Sequence, residues 1–193
     1  MRPIGDVIVA IDAELADAGV RHAFGGALAL AYYAEPRGTV DIDINVGVPY
    51  VSRSTLLERL DAIGWHADAD ADADAAQSLP AAGIRLHQAG ETVVIDLFFS
   101  FDDLHDVVLD RAVVRPFIHA GVRHELQFLS AEDLVVFKMS FGRTKDWVDI
   151  EAIIAAGTPI DADYVERQLV QFKGVTSYPS AARLRAMLRG VPE

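Results

Sequence analysis

Two aspartates, Asp41 and Asp43, stand two positions apart in a short run of alternating polar and apolar residues, Val40 to Ile44. Such alternation is typical of a half-buried strand, in which positions two apart point to the same side. The two carboxylates therefore share one face and repel each other unless a positive charge lies between them. A divalent cation meets that need, because Mg²⁺ prefers oxygen ligands and commonly brings phosphate oxygens with it. The spacing predicts a magnesium site for a phosphate-bearing substrate.

A glycine pair, Gly25-Gly26, precedes this strand and a predicted helix over 27–34. Glycine lets backbone N–H groups approach a ligand closely, and a helix N-terminus favours an anion. Each signal alone has an ordinary interpretation, a tight turn for the glycines and a solvated edge strand for the aspartates. The order of strand, Gly-Gly, helix and then R-x-T-x-D-x-D, from Arg37 to Asp43, instead predicts a site for nucleotide phosphates.

A third acid, Asp96, lies in the second strand of a predicted hairpin, 84–88 and 92–98, whose loop is 89–91. Period-two alternation places Asp96 on one face with Val94 and Phe98. Two interpretations are open. Asp96 is a structural aspartate bonded to the backbone or to an arginine, or it is a third carboxylate beside Asp41 and Asp43.

Lys138 lies midway along an apolar helix that begins after Ser130 with a capping pattern, S-x-x-[DE]. Either its long side chain reaches outward and is half exposed, or its ammonium binds phosphate as a point charge. An acid beside it would keep it charged and oriented. The charged residues that follow closely are Arg143, Lys145, Asp146 and Asp149.

Taken together, these motifs resemble those of the polymerase-β-type nucleotidyltransferase superfamily, and most closely the AbiEii/MenT type of nucleotidyltransferase toxin. The segment E-D-L-x-x-x-K…R-x-x-D-x-x-D-I, from Glu132 to Ile150, favours that choice. The resemblance implies an α+β fold, a mixed sheet flanked by helices, with the nucleotidyltransferase core in 1–128 and a C-terminal helical part in 129–193. Gly26 stands where the family's G-S turn has a serine. The spacing between this turn and the D-x-D motif is also longer than in the compact version of the family's motif. Backbone N–H groups would therefore bind phosphate alone.

The resemblance also implies roles for the residues of the site. Mg²⁺ is the implied metal, with Mn²⁺ as a substitute, and an NTP is the substrate. Asp96 completes the site as a metal ligand or as the base for an acceptor hydroxyl. The implied residues are Asp41, Asp43 and Asp96 for the metal, Gly25, Gly26, Arg37, Lys138 and Arg143 for the nucleotide, and Asp41, Asp43, Asp96, Lys138 and Asp146 for catalysis, with Asp149 a weaker candidate than Asp146.

The implied activity is that of a toxin that adds a nucleotide from a pyrimidine NTP to the 3′ end of tRNA and so blocks aminoacylation and translation. Its implied partner is an antitoxin, which in this family can act as a kinase on a hydroxyl just before the D-x-D. Thr39 stands there. A phosphate on Thr39 would add about two negative charges beside Asp41, and we expect it to block metal and NTP binding.

Charge is unevenly distributed along a chain whose net charge is −12. Residues 138–193 hold eight Lys/Arg and seven Asp/Glu, whereas residues 1–137 hold nine and twenty-two. The basic C-terminal helices are thus the predicted tRNA contact. The alternating Ala-Asp segment at 67–76 predicts a solvated acidic loop, since it lacks the glycine and distal glutamate of a calcium loop.

The composition predicts a cytoplasmic protein without membrane contact, because there is no cysteine and no apolar run long enough to span a bilayer. Two other functions are open. One is an enzyme of the same class that modifies a small molecule of the aminoglycoside type or a protein side chain. The other is a non-catalytic binding module, against which the intact set Asp41, Asp43 and Asp96 argues.

Overall fold

A computed structural model of the protein describes residues 2–68, 83–100 and 103–190. The chain divides into two compact units, the first made of Met1–Leu28 and Gly38–Leu129, the second of Ala29–Arg37 and Ser130–Glu193. Most of the predicted acidic loop at 67–76 lies outside the described residues.

The first unit is built on a seven-stranded mixed sheet. Its strands are β1 (His22–Phe24), β2 (Asp41–Pro49), β3 (His66–Ala67), β4 (Gly83–His87), β5 (Val94–Ser100), β6 (Val113–His119) and β7 (Val122–Phe128). They lie in the order β3-β4-β5-β2-β1-β7-β6. The pairs β2–β5 and β1–β7 are parallel and the other pairs are antiparallel. The predicted mixed sheet is confirmed.

One face of the central strands forms the core. The buried side chains alternate along β2, β4 and β5, and they are Ile42, Ile44, Ile84, Leu86, Ile95 and Leu97. Fully burying one such side chain stabilises the fold by about 1.5–3 kcal/mol. Because a slip of one residue would turn every one of them outward, the register of these strands is strongly specified. The opposite face of the same strands carries the polar residues of the candidate site.

Among its described residues, the first unit contains the α-helices α1 (Ile4–Asp17), α3 (Arg53–Ala62) and α4 (Asp103–Asp110). Helix α2 (Gly26–Leu30) begins in this unit and ends in the second. It is shorter than the predicted helix over 27–34. Residues 31–33 form a turn, in which the Tyr33 N–H donates to the Leu30 carbonyl at 2.9 Å.

The second unit consists of helices together with the segment 29–37. The helices are α5 (Ala131–Phe141), α6 (Thr144–Ala155), α7 (Ala162–Lys173) and α8 (Tyr178–Leu188). The predicted cap of α5 is confirmed, since Ser130 Oγ accepts from the Asp133 N–H at 3.2 Å. Thr158 Oγ donates to the Tyr33 carbonyl at 2.8 Å and so ties the segment 29–37 to the helices.

Candidate active site

Three carboxylates meet on the polar face of the sheet. Ile42 and Ile44 are fully buried, so the predicted alternation of β2 is confirmed and Asp41 and Asp43 share the opposite face. On the neighbouring parallel strand β5, Asp96 lies in register with Asp43. Adjacent strands are about 4.8 Å apart, and side chains in register point to the same side. The structure therefore places Asp41, Asp43 and Asp96 on the same face of two neighbouring strands.

Arg85 adds a positive charge to these acids. It lies on β4 directly opposite Asp96. Its Nε donates to Asp96 Oδ1 at 2.8 Å and its Nη2 to Asp96 Oδ2 at 2.6 Å, while the same Nη2 is 3.8 Å from Asp41 Oδ1. Hydrogen bonding to Asp96 raises the pKa of Arg85 above its ordinary value, and the nearby carboxylate charges reinforce the effect against partial burial. Arg85 thus supplies positive charge to Asp96 directly and to Asp41 at longer range.

The sequence did not single out Arg85, although it left open an arginine partner for Asp96. That partner is present, and the same aspartate also lies beside Asp43. A signal was available in the alternation of β4, where Ile84 and Leu86 must face the core with β5. Their intervening residue, Arg85, then falls on the face of Asp96.

The donor set suits a hard divalent cation, because it consists of carboxylate oxygens on neighbouring strands. Within the described ranges, no group of three His, Asp or Glu side chains is arranged to hold a metal ion. Asp41 and Asp43 are thus carboxylates of the type that such a cation binds, whereas both oxygens of Asp96 are bonded to Arg85.

The glycine turn packs directly against the D-x-D strand. Gly26 has φ +51°, and a Cβ there would collide with the Asp43 carboxylate, 2.5 Å from Cγ and closer still to Oδ2. Gly25 donates its N–H to the Asp43 carbonyl at 2.8 Å, so the fold already uses that N–H. Asn45 continues the aspartate face and is buried, and its Oδ1 has no hydrogen-bond partner in the described structure. A ligand donor at this turn would find an acceptor there.

In the second unit, Lys138 is buried within a charge cluster. The residue is 5% exposed, so the half-exposed interpretation is wrong. Its Nζ donates to Asp149 Oδ2 at 2.5 Å, and Arg37 donates to both oxygens of Asp149 at 3.1 Å. Burial opposes ionisation of Asp149, but the hydrogen bonds from Arg37 and Lys138 outweigh it and lower the pKa of Asp149 below its usual range. One carboxylate thus serves two cations.

Asp146 pairs with a different cation. Its Oδ2 accepts from the backbone N–H of Arg143 at 3.0 Å and from Arg143 Nε at 2.7 Å, which closes the N-terminus of α6. The sequence analysis preferred Asp146 to Asp149 as the catalytic acid of this segment. In the structure, however, Lys138 contacts Asp149. The catalytic and nucleotide-binding roles of these residues stay predictions.

The basic residues near the C-terminus make contacts within their own unit. Arg185 bonds Asp163 at 2.6 Å and Glu166, and the Arg183 guanidinium lies 4.1 Å from the Trp147 ring centroid. A depression of about 550 Å³ is lined by Asp163, Glu166, Arg167, Val170, Gln171, Tyr178 and Arg185. The predicted tRNA-binding surface therefore carries charges of both signs.

Comparison with known families decides the class of this protein. The family described as "Nucleotidyl transferase AbiEii toxin, Type IV TA system" matches residues 10–189. The chain belongs to this family. The predicted enzyme class, a nucleotidyltransferase, is confirmed. No curated protein sequence matches the chain significantly.

Solved structures of nucleotidyltransferases share the fold of the chain. The solution structure of the antibiotic-resistance factor ANT(2'')-Ia has a TM-score of 0.58 at 14% identity, covering 93% of this chain and 96% of that one. The crystal structure of ANT(2'')-Ia in complex with adenylyl-2''-tobramycin has 0.55 at 16%, covering 88% and 96%. An antigenic nucleotidyltransferase-like protein from Paracoccidioides brasiliensis has 0.52 at 17%, covering 94% and 92%. At these identities the likeness shows the fold alone, and the predicted polymerase-β-like fold is confirmed.

Family membership also fixes some coarser properties. Nucleotidyltransferases of this fold use NTP substrates and typically a divalent metal, and a type IV toxin–antitoxin family implies an antitoxin partner. Of the helices that the structure describes, none combines the length and apolar character that crossing a bilayer requires.

Proposed function

We propose that this AbiEii-family protein is a toxin that transfers a nucleoside monophosphate from a pyrimidine NTP to the 3′ end of tRNA, with Mg²⁺ or Mn²⁺ held by Asp41, Asp43 and Asp96. The observation that carries the proposal is the register of β2 and β5, which places these carboxylates on one face beside the glycine turn. A tRNA extended in this way could not be aminoacylated, so translation would stop.

The reaction is an in-line displacement at the α-phosphorus. The tRNA hydroxyl oxygen forms a bond to that phosphorus, the bond to the bridging oxygen breaks, and pyrophosphate leaves. In its alternative role, as the base, Asp96 takes up the hydroxyl proton. The metal, when bound, stabilises charge on the attacking and leaving oxygens. The remaining acceleration comes from positioning and charge neutralisation by the chain's own residues.

We infer, as the family resemblance implies, that Gly25, Gly26, Arg37, Lys138 and Arg143 are nucleotide-binding residues. Two of these cations, Arg37 and Lys138, bond the same carboxylate, that of Asp149. The Arg143 side chain is half exposed, and Asp146 fixes its orientation. Phosphate is the ligand type that such guanidinium and ammonium groups bind through charge-assisted hydrogen bonds.

Regulation by the antitoxin fits the position of Thr39. Its Oγ lies 3.0 Å from the backbone nitrogen of Asp41 and accepts that N–H. Phosphorylation would bring about two negative charges to the start of the metal-binding strand. We expect Thr39-phosphorylated protein to lose Mn²⁺ and NTP binding, measured by titration. Normal turnover of the phosphorylated protein would contradict this role.

The decisive assay incubates the protein with each of the four labelled NTPs and purified total tRNA, with and without Mg²⁺. We expect labelled tRNA with a pyrimidine NTP, and only with metal. Asp41→Asn should lower the rate at least about a hundredfold, because the metal loses a ligand. Asp110→Asn is the matched control, since it changes an exposed acid of α4 outside the site. An Asp41→Asn protein as active as wild type would overturn the proposal.

A second candidate acceptor is a cationic small molecule. The excess of acid in residues 1–137 would attract a polycation more readily than a polyanion. The ANT(2'')-Ia structure of similar fold holds adenylyl-2''-tobramycin. Replacing tRNA by aminoglycosides in the same assay separates the two candidates, and labelled aminoglycoside without labelled tRNA would favour the second. Labelled protein would indicate a side-chain acceptor instead.

A further inference from the structure

On the carboxylate face, the third acid, Asp96, is already bonded to an arginine. Arg85 forms a two-point contact with Asp96, using Nε and Nη2 against the two carboxylate oxygens. The Asp96 side chain is 16% exposed, so little of its carboxylate is open to other ligands. Arg85 also reaches towards Asp41 at 3.8 Å. One guanidinium thus contacts the third proposed metal ligand and lies near the first.

We propose that Arg85 is a positioning residue that competes with the divalent metal for this site. While Arg85 holds Asp96, the metal is limited to Asp41 and Asp43, and Asp96 joins it only after Arg85 has released an oxygen. Arg85 therefore weakens metal binding by the free protein and keeps three like charges together without a metal. The inference rests on the proposed metal-dependent function and adds to it a residue outside the D-x-D motif.

The backbone of Arg85 is fixed, whereas its side chain has room to move. Its Cα is paired with that of Asp96 across β4 and β5, and its carbonyl accepts from the Asp68 N–H at 3.2 Å. The side chain itself is 45% exposed. A rotamer change at the surface can therefore release Asp96 without disturbing the ladder.

Charge repulsion makes the competition strong. A divalent ion bound to Asp41 and Asp43 would lie near a guanidinium that is 3.8 Å from Asp41, and like charges at such distances repel even near a protein surface. Metal binding must overcome this repulsion or displace Arg85. Removing the positive charge removes both obstacles, so affinity for metal should rise.

The test measures Mn²⁺ binding directly, from the electron paramagnetic resonance signal of free Mn²⁺ during titration of nucleotide-free protein. We expect Arg85→Met to bind Mn²⁺ at least about tenfold more tightly than wild type. Arg85→Lys, which keeps the charge but loses the two-point contact, should lie between them. Adding Asp96→Asn to Arg85→Met should abolish much of the gain, because the released ligand is then missing.

Arg59→Met is the matched control. Arg59 is a similarly exposed arginine of the same unit that also engages carboxylates, those of Glu14 and Asp17, neither of them in the site. It should bind Mn²⁺ as wild type does. Circular dichroism checks that each variant is folded, and Arg85→Lys decides the question if Arg85→Met is not.

Unchanged or weaker Mn²⁺ binding by the Arg85 variants would overturn the inference, as would the absence of binding by every protein tested. The proposed function fails separately. An affinity gain without nucleotide transfer to tRNA supports the inference and counts against the function. Transfer to tRNA with no affinity gain does the opposite.

Discussion

The candidate site residues form two clusters of charged side chains, one on the sheet and one in the helical unit. On the sheet, Arg85 is paired with Asp96 and lies near Asp41, which shares a face with Asp43. In the helical unit, Arg37 and Lys138 share a single carboxylate, Asp149. The first cluster groups carboxylates around a guanidinium, and the second groups two cations around a buried carboxylate. Our proposals assign a metal ion to the first and a phosphate to the second.

The first prediction at the residue scale concerns Asp149. Its side chain is 7% exposed, so its replacement by asparagine leaves the buried ammonium of Lys138 without a counter-charge. We expect Asp149→Asn to lower the free energy of unfolding at pH 7 by about 3 kcal/mol, measured by urea denaturation. Glu151→Gln, in the same helix but exposed and 4.0 Å from Arg183, should change it by less than about 0.5 kcal/mol. Equal losses would contradict the buried pairing.

The same carboxylate predicts a pH dependence. Because the pKa of Asp149 is lower in the folded protein than in the unfolded chain, ionised Asp149 stabilises the fold. That contribution is complete above the unfolded-state pKa, about 3.9, and is lost as the pH falls through the lower folded-state value. The stability difference between wild type and Asp149→Asn should therefore shrink from pH 7 to pH 3. A constant difference would show that Asp149 does not titrate as inferred.

At the scale of elements, the glycine turn gives a matched pair of variants. Gly26 and Gly19 both have positive φ, +51° and +67°. A Cβ added at Gly26 would collide with the Asp43 side chain, whereas a Cβ added at Gly19 would meet nothing within 4 Å. Gly19→Ala should cost about 1–2 kcal/mol for backbone strain. Gly26→Ala should cost at least about 1 kcal/mol more, because it also displaces the Asp43 carboxylate.

Thermal unfolding and Mn²⁺ titration check this pair. Gly26→Ala should weaken Mn²⁺ binding, whereas Gly19→Ala should leave it unchanged. If both variants lost the same stability and kept wild-type affinity, the contact between the turn and Asp43 would have no part in the site.

Strand pairing shows where the sequence was sufficient and where it was not. The alternation around Asp41 and Asp43 was legible because Ile42 and Ile44 are both large and apolar. The strand partner of Asp96 could not be predicted from the loop alone. A hairpin loop centred on Gly90 would pair Ile84 with Asp96, whereas the structure pairs Arg85 with Asp96. The offset of one residue is decided by burial of Ile84 and Leu86 with β5, which depends on the packed sheet rather than on the loop.

The helical cluster was only partly predictable for a different reason. The capping pattern at Ser130 is local, and it was confirmed. The contact of Arg37 with Asp149 joins residues 112 positions apart, and no local pattern reports such a separation. The sequence therefore suggested Lys138 as a functional residue but could not decide which acid it meets.

At the scale of the whole molecule, the proposed tRNA contact predicts a salt dependence. Arg167 and Arg189 are exposed in the second unit. Reversing both charges with Arg167→Glu and Arg189→Glu should weaken tRNA binding and reduce the slope of log K against log salt by about 1 for each phosphate that the protein no longer binds. Arg123→Glu, on β7 and also exposed, is the control. An effect of Arg123→Glu half as large as that of the double variant would indicate that overall charge, not this surface, governs binding.

The path of the chain between its two units has a consequence for genetics. Residues 29–37 belong with the C-terminal helices, although they are encoded within the sheet. A gene fragment that stops at the sheet's last strand would still carry this nine-residue piece, stripped of the Thr158 and Asp149 partners that hold it. The C-terminal helices therefore cannot be separated from the rest of the chain by a single cut in the sequence. Shuffling them between homologues requires exchanging two distant stretches of coding sequence at once.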